Sequence, residues 1–344
     1  MMRLLNLTER QHSPKRVSIR RICTLGRRRL LVAWLAIGIT VAGTSWSSAA
    51  DPDAAFDVQI DQGRVYSILG DLELKCDVYQ PARGIDATEE KRPVVVLIHG
   101  GAWTSGSRRT MSGFAMRLAR GGIVAVTIDY RLAPRWKFPA QVDDVRQAMN
   151  WVNEQADQLG VDPLRMGLFG YSAGGHLACM IGTLVDETLA TQATASCWAA
   201  DDPRFTQLIK PLAICAGSPP CDLTQIPASS GGLAYFLGGT PAELPEAYLA
   251  ASPLTHASAG DSPTLFIHGN KDAIVPIRNS RSLFTAQRAA GVDSEYVTID
   301  NQGHLLTFIN PQTSDAMIRF FQSRLTGPFD EPVNLDNQQP LGGE

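Results

Sequence analysis

The chain has 344 residues, 44% apolar and 19% charged, enough for a large packed core and unlike a disordered or repetitive polymer. Its formal charge of −3 hides an asymmetry: residues 1–50 carry nine Lys/Arg against Glu9 alone, a balance of +8 that leaves −11 for residues 51–344. An acidic body without a basic stripe excludes nucleic acid as the expected partner.

Residues 1–50 read as a targeting segment. A basic region precedes the apolar run Leu30–Gly43, and Ser48-Ala49-Ala50 offers a small-x-small cleavage site before Asp51. The run is short for a bilayer span and suits a signal-peptide core, so export to a periplasm or the exterior is expected, with no stable span after cleavage. An uncleaved N-terminal membrane anchor is the alternative. The triplet Arg27-Arg28-Arg29 resembles a twin-arginine signal only weakly.

Residues 51–92 alternate, as in Leu72–Tyr79, which predicts antiparallel edge strands. Beyond them the apolar runs are continuous: Val94–Ile98, Ile123–Ile128, Met166–Phe169, Leu212–Ile214, Thr264–Ile267 and Tyr296–Ile299. Helical spacing intervenes at Phe114–Ala119, Val142–Leu159, Asn279–Ala290 and Thr313–Leu325. Strands buried on both faces and separated by helices predict an α/β fold, a mostly parallel sheet covered on each side, in one domain over residues 51–326. Residues 223–262 break the alternation and are read as a small lid with a helix at Leu233–Leu237; the polar residues 327–344 are read as a disordered tail.

Five cysteines follow residue 50: Cys76, Cys179, Cys197, Cys215 and Cys221. The odd number leaves at least one thiol free, and export permits one disulfide among Cys197, Cys215 and Cys221 without fixing the pair. No C-x-x-C pair is present, so no metal site or cofactor is expected.

Gly170-Tyr171-Ser172-Ala173-Gly174 lies between an apolar strand end and the apolar helix start Gly175–Ile181. A serine at such a corner sits on a strained turn with its hydroxyl presented at the sheet edge, and small neighbours are required because the backbones crowd there. A nucleophile in that place needs a base, an acid and an oxyanion site. His304, just beyond the strand ending at Ile299, is the base candidate, on a loop at a strand's C-terminal end. Asp272, beyond Thr264–Ile267, is the acid candidate; Asp300 and Asp222 compete, the first with a side chain that must double back and the second as a turn cap. His99 braces its own loop, His176 points along the helix after Ser172, and His268 precedes any plausible acid. In His99-Gly100-Gly101-Ala102-Trp103 two glycines let backbone N–H groups turn toward a carbonyl, where with the Ala173 N–H they could hold an oxyanion.

The order of these parts, oxyanion loop, Ser, Asp, His, each at a strand end, matches the α/β-hydrolase arrangement. The chain resembles esterases and lipases of that fold: the hormone-sensitive-lipase-like esterases and, more closely, the bacterial esterases grouped with acetyl-xylan and feruloyl esterases. The residues that carry the likeness are His99–Trp103, Asp129–Pro134, Phe138–Ala140, Gly170–Gly175, Leu237–Pro241, Ala251–Leu254 and His268-Gly269 before Asp272. The resemblance implies a triad of Ser172, Asp272 and His304, oxyanion donors at Gly101, Ala102 and Ala173, and a carboxylic ester, short-chain or carbohydrate-linked, as substrate. Trp103 and Tyr171 are expected to border it. Two positions depart from the hormone-sensitive-lipase-like pattern: Ala102 replaces a third glycine and Tyr171 an acidic residue. The His-Gly-Gly-x-Trp form also occurs in kynurenine formamidases, which keeps aryl-amide hydrolysis as the alternative. A non-catalytic binding module of this fold is the minor one. The sequence does not fix an oligomeric state.

Overall fold

The computed structural model describes residues 57–82, 91–225 and 231–326. The targeting segment, the tail and residues 226–230 of the lid candidate lie outside the described residues.

Eight strands form one sheet in the order β1-β2-β4-β3-β5-β6-β7-β8. They are β1 (Val58–Leu69), β2 (Leu72–Pro81), β3 (Arg92–Ile98), β4 (Val124–Ile128), β5 (Val161–Tyr171), β6 (Ala213–Gly217), β7 (Thr264–Gly269) and β8 (Glu295–Ile299). β1 and β2 pair antiparallel at one edge, β2 pairs antiparallel with β4, and every other pairing is parallel. The alternating sequence of the first two strands is that of an edge hairpin, and the continuous apolar runs are those of central parallel strands.

The helices divide between the two faces. Between β3 and β4 lies α1 (Ser112–Arg120); α2 (Ala140–Glu154) and α3 (Ala156–Leu159) precede β5; α4 (Ala173–Leu184) and α5 (Leu189–Thr194) follow it. α6 (Gly231–Leu237) and α7 (Pro245–Ala250) lie between β6 and β7, α8 (Arg278–Ala289) between β7 and β8, and α9 (His304–Ile309) and α10 (Pro311–Leu325) follow β8. Alternate residues of β3 feed opposite cores: Val94, Val96 and Ile98 pack with Val145 and Met149 of α2 and Leu177 and Ile181 of α4. Val95 and Leu97 pack with Phe114 and Leu118 of α1 and Met317 and Phe321 of α10. Each such fully buried side chain stabilises the fold by about 1.5–3 kcal/mol. The long helix expected over Val142–Leu159 breaks at Gln155, whose φ of −95° and ψ of 9° leave the helical region, and Gly160, left-handed at φ 61°, ends the second piece.

From β3 the chain winds first to β4 on one side and then crosses back to β5 on the other, so the strand order reverses between them. In open parallel sheets the crevice for ligands opens at the C-terminal ends of the strands flanking that reversal. The loop after β3 and the turn after β5 both emerge there, in a register that sets Ile98 opposite Gly170.

Candidate active site

Ser172 caps α4 with φ 55° and ψ −119°, a left-handed conformation unfavourable for a side-chain-bearing residue. The turn is possible because Gly170 and Gly174 carry no Cβ: one on Gly170 would lie 2.0 Å from the Gly174 carbonyl oxygen, and one on Gly174 would lie 2.0 Å from the Ile98 oxygen. The Ser172 amide donates to the Gly217 carbonyl at 2.7 Å, fixing the corner to the end of β6.

The loop after β3 is also strained. Gly101, Ala102 and Trp103 take φ of 117°, 51° and 59°, so three successive residues occupy the positive-φ half of the map. Among the described residues, none accepts a hydrogen bond from the Gly101, Ala102 or Ala173 amides. Residues outside the loop hold this shape. Tyr130 stacks on His99 with ring centroids 4.2 Å apart and donates its hydroxyl to the His99 carbonyl at 3.0 Å. The Ala133 amide donates to the Trp103 carbonyl at 2.9 Å. The Asp129–Pro134 segment, quoted above only as part of a resemblance, therefore buttresses the loop.

Trp103 and Tyr171, expected to border substrate, are both buried and make packing and hydrogen-bond contacts. Trp103 is 5% exposed, lies flat on Phe236 of α6 at 4.3 Å, and donates its indole N–H to His176 Nδ1 at 3.2 Å. His176 then must carry its proton on Nε2, which donates to the Ala251 carbonyl at 2.7 Å. Burial drives its pKa down to about 4, so it stays neutral and ties the loop, α4 and the chain after α7 together. Tyr171 is 3% exposed, its hydroxyl directed at His304.

His304 and Asp272 meet. His304 Nδ1 lies 2.6 Å from Asp272 Oδ2. A carboxylate only accepts, so Nδ1 is the donor in this bond, and in the neutral tautomer that fits it Nε2 carries the lone pair. The carboxylate is held from both sides: Oδ1 accepts from the Ile274 and Val275 amides at 2.9 and 2.8 Å, and Oδ2 also lies 3.3 Å from His268 Nε2. Burial alone would raise the Asp272 pKa, but the donors on His268, His304 and Val275 outweigh it and hold the group well below the usual carboxylate range. His268 is the partner that sequence reasoning missed. Its Nδ1 bonds Ser280 Oγ at 2.7 Å, and its Nε2 donates to the Val275 carbonyl at 2.8 Å as well as facing Asp272. The i,i+4 spacing of His268 and Asp272 across a strand end was the available signal.

The competing acids are occupied elsewhere. Asp300 Oδ1 accepts from Asn270 Nδ2 at 2.8 Å, and Asp222 Oδ1 caps a turn by accepting from the Thr224 amide at 3.1 Å. His304 is not on a loop as expected: it is the first residue of α9, which starts from extended Gly303. The five described cysteines are free thiols, so the disulfide that export would permit among Cys197, Cys215 and Cys221 is not formed: Cys197 is exposed while Cys215 and Cys221 are buried. Among the described residues no cluster of metal-binding side chains occurs, and no helix is long and apolar enough to cross a membrane.

A mostly parallel sheet wrapped by helices, with a strained serine turn after β5 and a His–Asp pair beyond β7 and β8, defines an α/β-hydrolase fold. The chain belongs to the BD-FAE family, whose model matches residues 76–286. It is 28% identical over 226 residues to esterase LipC of Mycobacterium tuberculosis, an alignment covering 64% of this chain and 54% of that protein. The chain spans about half the length of the first curated relatives it matches. A truncated carbohydrate esterase from gut microbiota superposes with a TM-score of 0.68 at 22% identity, covering 80% of this chain and 99% of that one. Esterase 2 of the Planctomycetes species Thermogutta terrifontis, with propionate bound, superposes with a TM-score of 0.63 at 27% identity, covering 79% and 95%.

Proposed function

We propose that the protein is a serine esterase that cleaves short-chain or carbohydrate-linked carboxylic esters through an acyl-enzyme. The observation that carries this reading is the 2.6 Å His304–Asp272 bond beyond the C-terminal ends of β7 and β8, at the same sheet edge as the strained Ser172 turn after β5. Ser172 Oγ attacks the ester carbonyl while His304 Nε2 takes its proton. The Gly101, Ala102 and Ala173 amides hold the oxyanion of the tetrahedral intermediate. The imidazolium then protonates the leaving alcohol, Ser172 keeps the acyl group, and a water deprotonated by His304 releases it as the acid. Asp272 orients His304 and balances its charge without taking a proton, a role suited to a carboxyl held below its usual range. The substrate class rests on the propionate-bound and carbohydrate-esterase likenesses. No step needs a metal or cofactor. Export follows from the signal-like residues 1–50 and is part of the same proposal.

Hydrolysis of p-nitrophenyl acetate, acetylated xylan and N-formylkynurenine by wild type and Ser172→Ala tests the reading. Ester turnover abolished by the substitution supports it. Far better turnover of the formamide makes the chain a formamidase-like amide hydrolase, and no turnover of any of the three favours a binding module.

A further inference from the structure

Tyr171 fills the position before the nucleophile candidate, and its ring and hydroxyl join the end of β6 to the helix that carries His304. Its hydroxyl donates to the His304 carbonyl at 2.5 Å. Ser218 Oγ lies 3.2 Å from the same oxygen, and since a phenol has one proton, Ser218 is the donor in that second bond. The ring stands edge-on to the His304 imidazole, centroids 5.4 Å apart, and to Phe308 on the same helix at 4.8 Å. The phenol remains protonated, and so a donor, because burial raises its pKa.

The residues around it are shaped for this ring. A Cβ on Gly217 would lie 2.3 Å from Tyr171 Cδ2, so only glycine leaves room. Ser218 takes a left-handed φ of 45°, is fully buried, and donates its amide to the Ile267 carbonyl of β7 at 2.8 Å. Gly217 accepts the Ser172 amide. Two successive residues at the end of β6 thus fix the nucleophile's backbone and the Tyr171 hydroxyl, and that hydroxyl fixes the backbone of His304.

We infer that Tyr171 is a positioning residue for the reaction, a strut that sets His304 against Ser172 through the histidine's own carbonyl, and that it is not part of the substrate wall. The inference rests on Ser172 and His304 being the reacting pair. Asp272 holds the imidazole from its Nδ1 side, but nothing in that bond fixes where the α9 backbone stands. Misplacing a reacting group by about 1 Å lowers the rate by about 10²-fold. An acidic side chain at position 171 could not donate to this carbonyl once ionised, which gives the tyrosine a chemical reason.

The test is Tyr171→Phe, which keeps the ring and removes the hydroxyl, assayed on p-nitrophenyl acetate in wild-type and His304→Ala backgrounds. The expected result is a kcat lowered by about 10- to 100-fold with KM within about twofold, and no further loss when the change is made on His304→Ala. A purely structural role would lower activity equally in both backgrounds. Ser218→Ala, which frees the tyrosine without removing its bond to His304, should lower kcat by a smaller factor. A kcat for Tyr171→Phe within threefold of wild type, a change confined to KM, or an equal loss in the His304→Ala background overturns the inference. Ser172→Ala run in parallel separates the two levels: if that variant stays active, the underlying mechanism fails, whereas if it is inactive and Tyr171→Phe is not, only the strut fails.

Discussion

Asp272→Asn is the substitution for which the geometry gives the sharpest magnitude. The wild-type carboxylate faces N–H donors on both oxygens: the Ile274 and Val275 amides on Oδ1, and His304 with His268 on Oδ2. An asparagine must place its NH2 on one side. On the Oδ1 side it would oppose two backbone donors that cannot change, so it takes the Oδ2 side. There it meets His304 Nδ1, which can adapt by giving up its proton. The imidazole then carries its proton on Nε2 and, in the proposed mechanism, offers Ser172 a donor and not a lone pair. Holding the wrong tautomer lowers kcat by about 10⁴, equivalent to about 5.4 kcal/mol of transition-state stabilisation. Steady-state hydrolysis of p-nitrophenyl acetate at neutral pH should show that loss in kcat with KM changed by less than about threefold. Circular dichroism should show the fold retained, because the asparagine still accepts both amides. A kcat within tenfold of wild type would mean that the His304 tautomer does not limit the reaction.

Two further substitutions act on the oxyanion loop and on a buried carboxyl away from it. Gly101→Ala should lower kcat by about 10²–10³, since a Cβ there would lie 2.1 Å from the Ser105 carbonyl oxygen at a φ of 117° and the loop must shift; a rate within threefold of wild type refutes it. Asp261, remote from the reaction, has its pKa pushed up to about 6, chiefly by burial and secondarily by nearby Asp186, against the donors on Gln287 and Ser258. A folded-state pKa above the unfolded value near 3.9 means that stability is lost as pH rises from about 4 to about 6. Discounted for solvent screening, the loss is about 1–2 kcal/mol. Urea unfolding at pH 4.5 and 7.5 should show Asp261→Asn narrowing the difference between the two by about that amount, and an unchanged difference contradicts the assignment.

The sheet and the serine turn were legible because their physics is local. Continuous apolar runs leave a strand little choice but the middle of a parallel sheet, and glycines around a serine report backbones in contact, as the 2.0 Å approaches at Gly170 and Gly174 bear out. What the sequence hid depends on contacts across the fold. His268 looked like an ordinary strand-end residue because its partner Asp272 faces it only after the loop closes over Val275. His304 looked like a loop residue because α9 is six residues long and leaves Leu305, Leu306 and Ile309 exposed, so no apolar periodicity marks it. The packing of Trp103 and Tyr171 was hidden because their partners, Phe236 and His176 for the first and Ser218 and Phe308 for the second, are distant in sequence.

The central claim is that Ser172 becomes covalently acylated with His304 as its base. Treating the protein with a small fluorophosphonate and mapping the adduct by peptide mass spectrometry tests it most directly. One adduct per chain is expected, on Ser172, formed at least about 10²-fold more slowly in His304→Ala and absent in Ser172→Ala, together with loss of p-nitrophenyl acetate hydrolysis in step with labelling. An adduct on another residue, or esterase activity that persists in Ser172→Ala, would contradict it.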